Sequence, residues 1–123
     1  MTDIDEAYLR PTEILDSDHP RVRAFAAAAV NGFSSPVEKA VRLYYSVRDG
    51  IRYDPYVPFH RPEHYRASGV LARGRGYCVS KAALLCALGR SVGIPSRIGF
   101  ADVRNHIATR ELIETLGSNL FVY

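Results

Sequence analysis

The stretch RGRGYCVSKAALLCALGRSVGIP, residues 73–95, decides how this chain is read. Gly74 and Gly76 allow a sharp turn and the close approach of another group. Cys78 follows at once, and from Val79 to Val92 the apolar residues Ala82, Ala83, Leu84, Leu85, Leu88 and Val92 cover more than one helical face. A helix of that kind belongs in the middle of a domain. Gly93, Ile94 and Pro95 then supply a left-handed cap, its accompanying hydrophobic residue and a stop. The pattern predicts a buried helix that opens at a cysteine and closes at Gly-Ile-Pro.

A thiol at a helix start has particular chemistry open to it. The first turn presents unpaired N–H groups and about half a positive charge, which together favour the ionised form. A free cysteine of pKa about 8.5 is only about 3% thiolate at neutral pH, and a depression of about two units makes it roughly three-quarters thiolate. The N–H at the helix start is also placed to donate to a developing oxyanion, a contact worth about 3 kcal/mol in comparable sites. Cys78 therefore reads as a nucleophile. Cys86, mid-helix among apolar neighbours, reads as a small core residue. On one helix the two lie about 12 Å apart along the axis, beyond the roughly 7 Å limit for a disulfide.

Upstream, Ser17 or Asp18 is expected to cap a helix with Pro20 in its first turn, the alanine-rich run to Val30 forms its body, and Asn31-Gly32 ends it. His19 reads as a helix-start residue. Ser35-Pro36-Val37-Glu38 is a capping box, and Val37, Ala40, Val41, Tyr44 and Val47 follow at helical spacing until Asp49-Gly50. A short strand, Ile51 to Tyr53, meets the Asp54-Pro55 turn, and a single helical turn is expected near Ser68 to Leu71. Downstream, Arg97 to Val103 reads as a strand, Thr109 to Leu116 as a short helix and Asn119 to Tyr123 as the start of another strand.

The run GYCVSKAALLCALGRSVGIPSRIGF resembles the core of the transglutaminase-like superfamily, in which a glycine-preceded cysteine opens a helix that ends at Gly-Ile-Pro-x-Arg before a strand. The likeness covers about residues 36 to 103. It implies an α+β, papain-like core with helices packed on the start of an antiparallel sheet, and a cysteine nucleophile with a histidine base oriented by an aspartate or asparagine. Cys78 matches the nucleophile. The family's His-small-aromatic context is absent here. His106, the one histidine after Cys78, is the candidate base within the chain. Asn119 to Tyr123 then reads as the strand that leads toward the family's histidine, so residues 1–123 are expected to form a single, truncated domain with an incomplete dyad. RGRGYC is also similar to a run in the arylamine acetyltransferases. Both resemblances imply acyl transfer through a thioester, with a peptide, protein or small amide as substrate.

The remaining features bound the alternatives. With 123 residues, 47% hydrophobic and 24% charged, the chain has the composition of one globular domain. Net charge is +3, with 16 basic residues scattered among 13 acidic ones, which argues against nucleic acid. Arg61, Arg66, Arg73 and Arg75 read as a solvated, salt-bridged loop. No apolar run approaches a membrane span, and the acidic N-terminus is unlike a secretory signal, so a cytoplasmic, non-membrane protein is expected. HRPEH, residues 60–64, matches a zinc pattern in letters, but Pro62 keeps His60 off a shared helical face. No metal or cofactor is expected. The competing expectation is a non-catalytic interaction module that keeps the core, with self-association through the strand at residues 119–123.

Overall fold

A computed structural model describes residues 3–58, 60–104, 110, 111, 114, 117, 120 and 121. Five helices and four two-residue strands are described: α1 (Asp3–Ala7), α2 (Pro20–Ala29), α3 (Pro36–Gly50), β1 (Arg52–Tyr53), α4 (Ala67–Arg73), β2 (Arg75–Gly76), α5 (Cys78–Ser91), β3 (Val103–Arg104) and β4 (Leu120–Phe121), with a 3-10 turn at Pro62–His64.

Helix α5 is the hub, and α2, α3 and α4 all pack against it. Ala83, Leu84, Cys86, Ala87 and Leu88 are buried on it, so the apolar residues do wrap more than one face. Val22 and Ala26 of α2, Leu43 and Val47 of α3, and Ala67 and Val70 of α4 complete the core. The i, i+4 spacing on α2 and α3 places each pair on one stripe. The C-terminus of α5 is a Schellman closure: Gly93 has φ +84°, its N–H reaches Arg90 O at 3.2 Å, and Ile94 N–H reaches Gly89 O at 2.8 Å.

The first helix of the core corrects one expectation. The cap of α2 is neither Ser17 nor Asp18 but His19, whose Nδ1 accepts from Arg21 N–H at 3.0 Å. Pro20 occupies the first helical position, so the cap must be the residue just before it, and Ser17 and Asp18 lie too early. At α3 the capping role of Ser35 is as expected, with Glu38 N–H donating to its Oγ at 3.2 Å. The apolar stripe of α3 is narrower than its spacing suggested. Leu43 and Val47 are buried, while Val37, Ala40, Val41 and Tyr44 are exposed.

An acidic residue three positions before that first cap works elsewhere. Helix α4 has no side-chain cap of its own. Asp16 supplies one from the chain before α2: Ser68 N–H donates to Oδ1 at 3.1 Å, and the Ser68 hydroxyl donates to Oδ2. Asp16→Ala is expected to cost about 1–3 kcal/mol, because it leaves the α4 donors unpaired in a half-buried place. Asp18→Ala, at an exposed position, serves as the neutral control in the same urea titration. Equal midpoints for the two variants would refute the remote cap.

The sheet also departs from expectation. Strands β1 and β2 pair in parallel, with Arg52 opposite Arg75 and Tyr53 opposite Gly76. The pairing is parallel because α4 lies in the crossover between the strands. Arg52 N–H bonds Gly74 O and Asp54 N–H bonds Gly76 O, both at 2.9 Å. Among the described residues, β3 and β4 alone form an antiparallel pair, Val103 opposite Phe121 and Arg104 opposite Leu120. The strand expected over Arg97 to Val103 is thus reduced to its end, since residues 97–102 have no ladder, and Ile98 packs against the core. Of the helix expected at Thr109 to Leu116, Arg110, Glu111 and Glu114 are helical, with an Arg110–Glu114 ion pair of 3.2 Å. Thr109, Leu116, Asn119 and Tyr123 lie outside the described residues, as does His106.

The arginines of the loop before α5 are all engaged. Arg61 pairs with Glu63 at 3.9 Å, Arg66 with Glu13 at 3.2 Å and Arg75 with Asp54 at 3.8 Å, while Arg73 donates to Glu63 O at 2.8 Å. His60 precedes the 3-10 turn and His64 ends it. Burial, reinforced by Arg73, pushes the His64 pKa down. Among the described residues no group of three or more His, Cys, Asp or Glu side chains converges as metal ligands would, and no helix is long and apolar enough to cross a membrane.

Candidate active site

Cys78 is the first residue of α5, and it is exposed. Three local features hold it there. Gly74 closes α4 in the left-handed region at φ +69°, with its N–H on Val70 O at 2.8 Å. The chain then makes the two residues of β2 and turns into α5 at Tyr77. Ser80, fully buried, accepts from Tyr77 N–H at 3.0 Å and donates to Tyr77 O at 3.2 Å, so the third residue of the helix ties down its cap. The Tyr77 phenol donates to Tyr65 Oη at 2.6 Å with the rings edge to face. Burial, then the bond to Tyr65, pushes the Tyr77 pKa well up, so the Tyr77 phenol stays protonated and neutral beside the thiol.

The thiol stands between two apolar clefts. One, of about 280 Å³, lies between α5 and the returning chain and is lined by Cys78, Val79, Ala82, Ile98, Phe100 and Ala101 among others. The second, of about 290 Å³, lies between α5 and α3 and is lined by Cys78, Lys81, Ala82, Leu85, Tyr44 and Tyr53 among others. Lys81 is three residues from Cys78 and therefore on the same helical side. Its Nζ donates to Ile51 O at 2.7 Å and to Arg48 O at 3.4 Å, which satisfies carbonyls at the end of α3 and locks α3 to α5 beside the thiol. Arg48 is paired with Asp49 at 2.8 Å and lies over the Tyr45 ring at 4.6 Å.

Cys86 contrasts at each point. It is buried mid-helix, and burial pushes its thiol pKa up against the opposing influence of Arg90. The two cysteines share α5 and both are free. The sequence marked Cys78. It did not mark Tyr44, Tyr53, Lys81 or Phe100 as cleft residues, although the three-residue step from Cys78 to Lys81 was a usable signal.

An exposed cysteine opening the central helix of an α+β domain, with apolar clefts on both sides, defines a class of thiol-bearing cores. The transglutaminase-like superfamily model matches residues 23–117, and the chain belongs to that superfamily, which includes thiol-dependent acyltransferases and hydrolases. No curated protein and no solved structure matches the chain.

Proposed function

We propose that this chain carries, in Cys78, the nucleophile of thiol-dependent acyl transfer or amide hydrolysis, with the rest of the catalytic set incomplete within residues 1–123. The observation that carries the proposal is the position of the thiol: first residue of α5, exposed, and shared by two clefts. In the reaction, Sγ attacks the acyl carbon and the carbonyl π electrons move to oxygen. The Cys78 N–H, unpaired at the helix start, donates to that oxyanion. Collapse expels the amine, which leaves with a proton, and a thioester remains on Cys78. Water or a second amine then attacks the thioester and releases the thiol. A histidine takes the thiol proton and returns it to the leaving amine. His106 is this chain's candidate for that role. The substrate in this reading is a peptide, a protein or a small amide.

Alkylation tests the reading directly. Iodoacetamide at neutral pH, followed by peptide mapping, is expected to modify Cys78 at least about tenfold faster than Cys86, since Cys86 is buried and its ionisation is disfavoured. Preferential modification of Cys86 would overturn the proposal. A second readout follows the chemistry itself: an activated acyl donor is expected to leave one acyl mass on the wild-type chain and none on Cys78→Ala.

A further inference from the structure

The cleft between α3 and α5 shares one wall residue with a neighbouring cleft. Tyr53 lines it and also lines a polar cleft of about 240 Å³ formed with Arg52, Asp54, Pro55, Tyr56 and Arg75. Arg52 and Arg75 are register partners in the β1–β2 pair, so their side chains leave the same face of the ribbon side by side. Like charges directly opposite one another destabilise a strand pair. One carboxylate is present to offset them. Asp54 Oδ2 lies 3.8 Å from Arg75 Nε, and its Oδ1 is taken by Tyr56 N–H at 2.9 Å. Arg52 has no acidic partner among the described residues. The nearby cations are otherwise engaged, Arg48 by Asp49 and Lys81 by backbone carbonyls.

Two arginines at paired register positions, offset by one carboxylate, leave a surplus positive charge in a cleft that shares its Tyr53 wall with the cleft holding Cys78. We propose that the two clefts together select an acyl donor with an apolar side chain next to the reacting carbonyl and a carboxylate one residue beyond, the chain crossing at Tyr53 and the carboxylate held by Arg52 and Arg75. The inference rests on Cys78 being the nucleophile. The apolar group occupies the space among Tyr44, Tyr53 and Leu85. Arginine suits the second cleft because its planar fork takes a carboxylate through two bonds.

The probes are iodoacetyl-Phe-Asp amide and iodoacetyl-Phe-Asn amide, which differ in one charge, with the rate of Cys78 modification followed by mass. At low salt the Asp probe is expected to react about fivefold faster, the scale of one exposed ion pair. The advantage shrinks toward unity in about 0.5 M salt. Arg52→Gln brings the ratio to about one, and Arg52→Lys retains most of it. Equal rates for the two probes on the wild-type chain, or a ratio unchanged by salt, overturn the inference. Equal probe rates at a Cys78 that outpaces Cys86 with plain iodoacetamide remove only this inference. Selective modification of Cys86 by plain iodoacetamide removes the acyl-transfer reading and this inference with it.

Discussion

Gly76→Ala is expected to lower the unfolding free energy by about 1–3 kcal/mol and to slow Cys78 alkylation, although it adds a single methyl group. A Cβ at position 76 would stand 2.5 Å from Ser80 Oγ, closer than any real contact, and 3.5 Å from Val70 Cγ1. Neither side can yield cheaply. The Gly76 carbonyl accepts from Asp54 N–H at 2.9 Å, so moving the backbone breaks the β1–β2 ladder. The Ser80 hydroxyl is fully buried and holds Tyr77 through both N–H and C=O, so rotating it away unties the cap of α5. Either response moves the helix start on which Cys78 sits. The clash is specific to one oxygen, because the next nearest atoms lie at ordinary contact distance. Ser80→Ala alone removes the cap bond and is expected to cost about 1 kcal/mol. Combined with Gly76→Ala it also removes the obstacle, so the double variant should be more stable than the sum of the singles predicts by about 0.5–3 kcal/mol. Urea titration of the four proteins in the cycle measures that coupling. Strict additivity would mean that Gly76 is required for some other reason.

The same turn shows what a sequence can disclose. The order of glycine, cysteine and apolar helix depends on local rules: helix starts leave N–H groups unpaired, and Gly-Ile-Pro closes a helix whatever surrounds it. Cys78 and the Schellman closure at Gly93 were legible for that reason. Pairing partners were not. The parallel register of β1 with β2 depends on α4 carrying the chain across, and two-residue strands are too short for a periodic signal. The remote cap by Asp16 joins residues 52 positions apart and leaves no trace in spacing.

Helix α3 shows a second limit. Val37, Ala40, Val41, Tyr44 and Val47 satisfy a helical period, yet only Val47 of that set is buried, with Leu43 beside it. The period identifies an apolar face but does not say whether that face meets other side chains or an open cleft. Here Ala40, Tyr44 and Val47 border clefts along α5, and Tyr44 and Val47 line the one that holds Cys78, so part of the apolar stripe is the wall of the candidate site. The base could not be placed the same way, because a histidine joins a nucleophile through tertiary contact and His106 carries no local pattern that ties it to Cys78.

Adjacent leucines on α5 separate the two meanings of an apolar residue. Leu84 is fully buried within the core, and Leu84→Ala is expected to cost about 3–5 kcal/mol, since the surrounding helices are tied together and close the cavity only in part. A domain of this size has about 5–15 kcal/mol in total, so the loss moves the urea midpoint far and raises the accessibility of Cys86 along with it. Leu85 is one residue on, half-buried, and borders the cleft that holds Cys78, Tyr44 and Tyr53. Leu85→Ala should cost about 1 kcal/mol, because much of that side chain already meets solvent. Its effect belongs to the site: it widens the apolar space beside the thiol and should slow Cys78 modification by iodoacetyl-Phe-Asn amide relative to plain iodoacetamide. Leu84→Ala, measured under conditions where it is folded, should leave that ratio near the wild-type value. If Leu85→Ala instead matched Leu84→Ala in stability loss and left the ratio unchanged, the space between α3 and α5 would be packing and not a place for an acyl group.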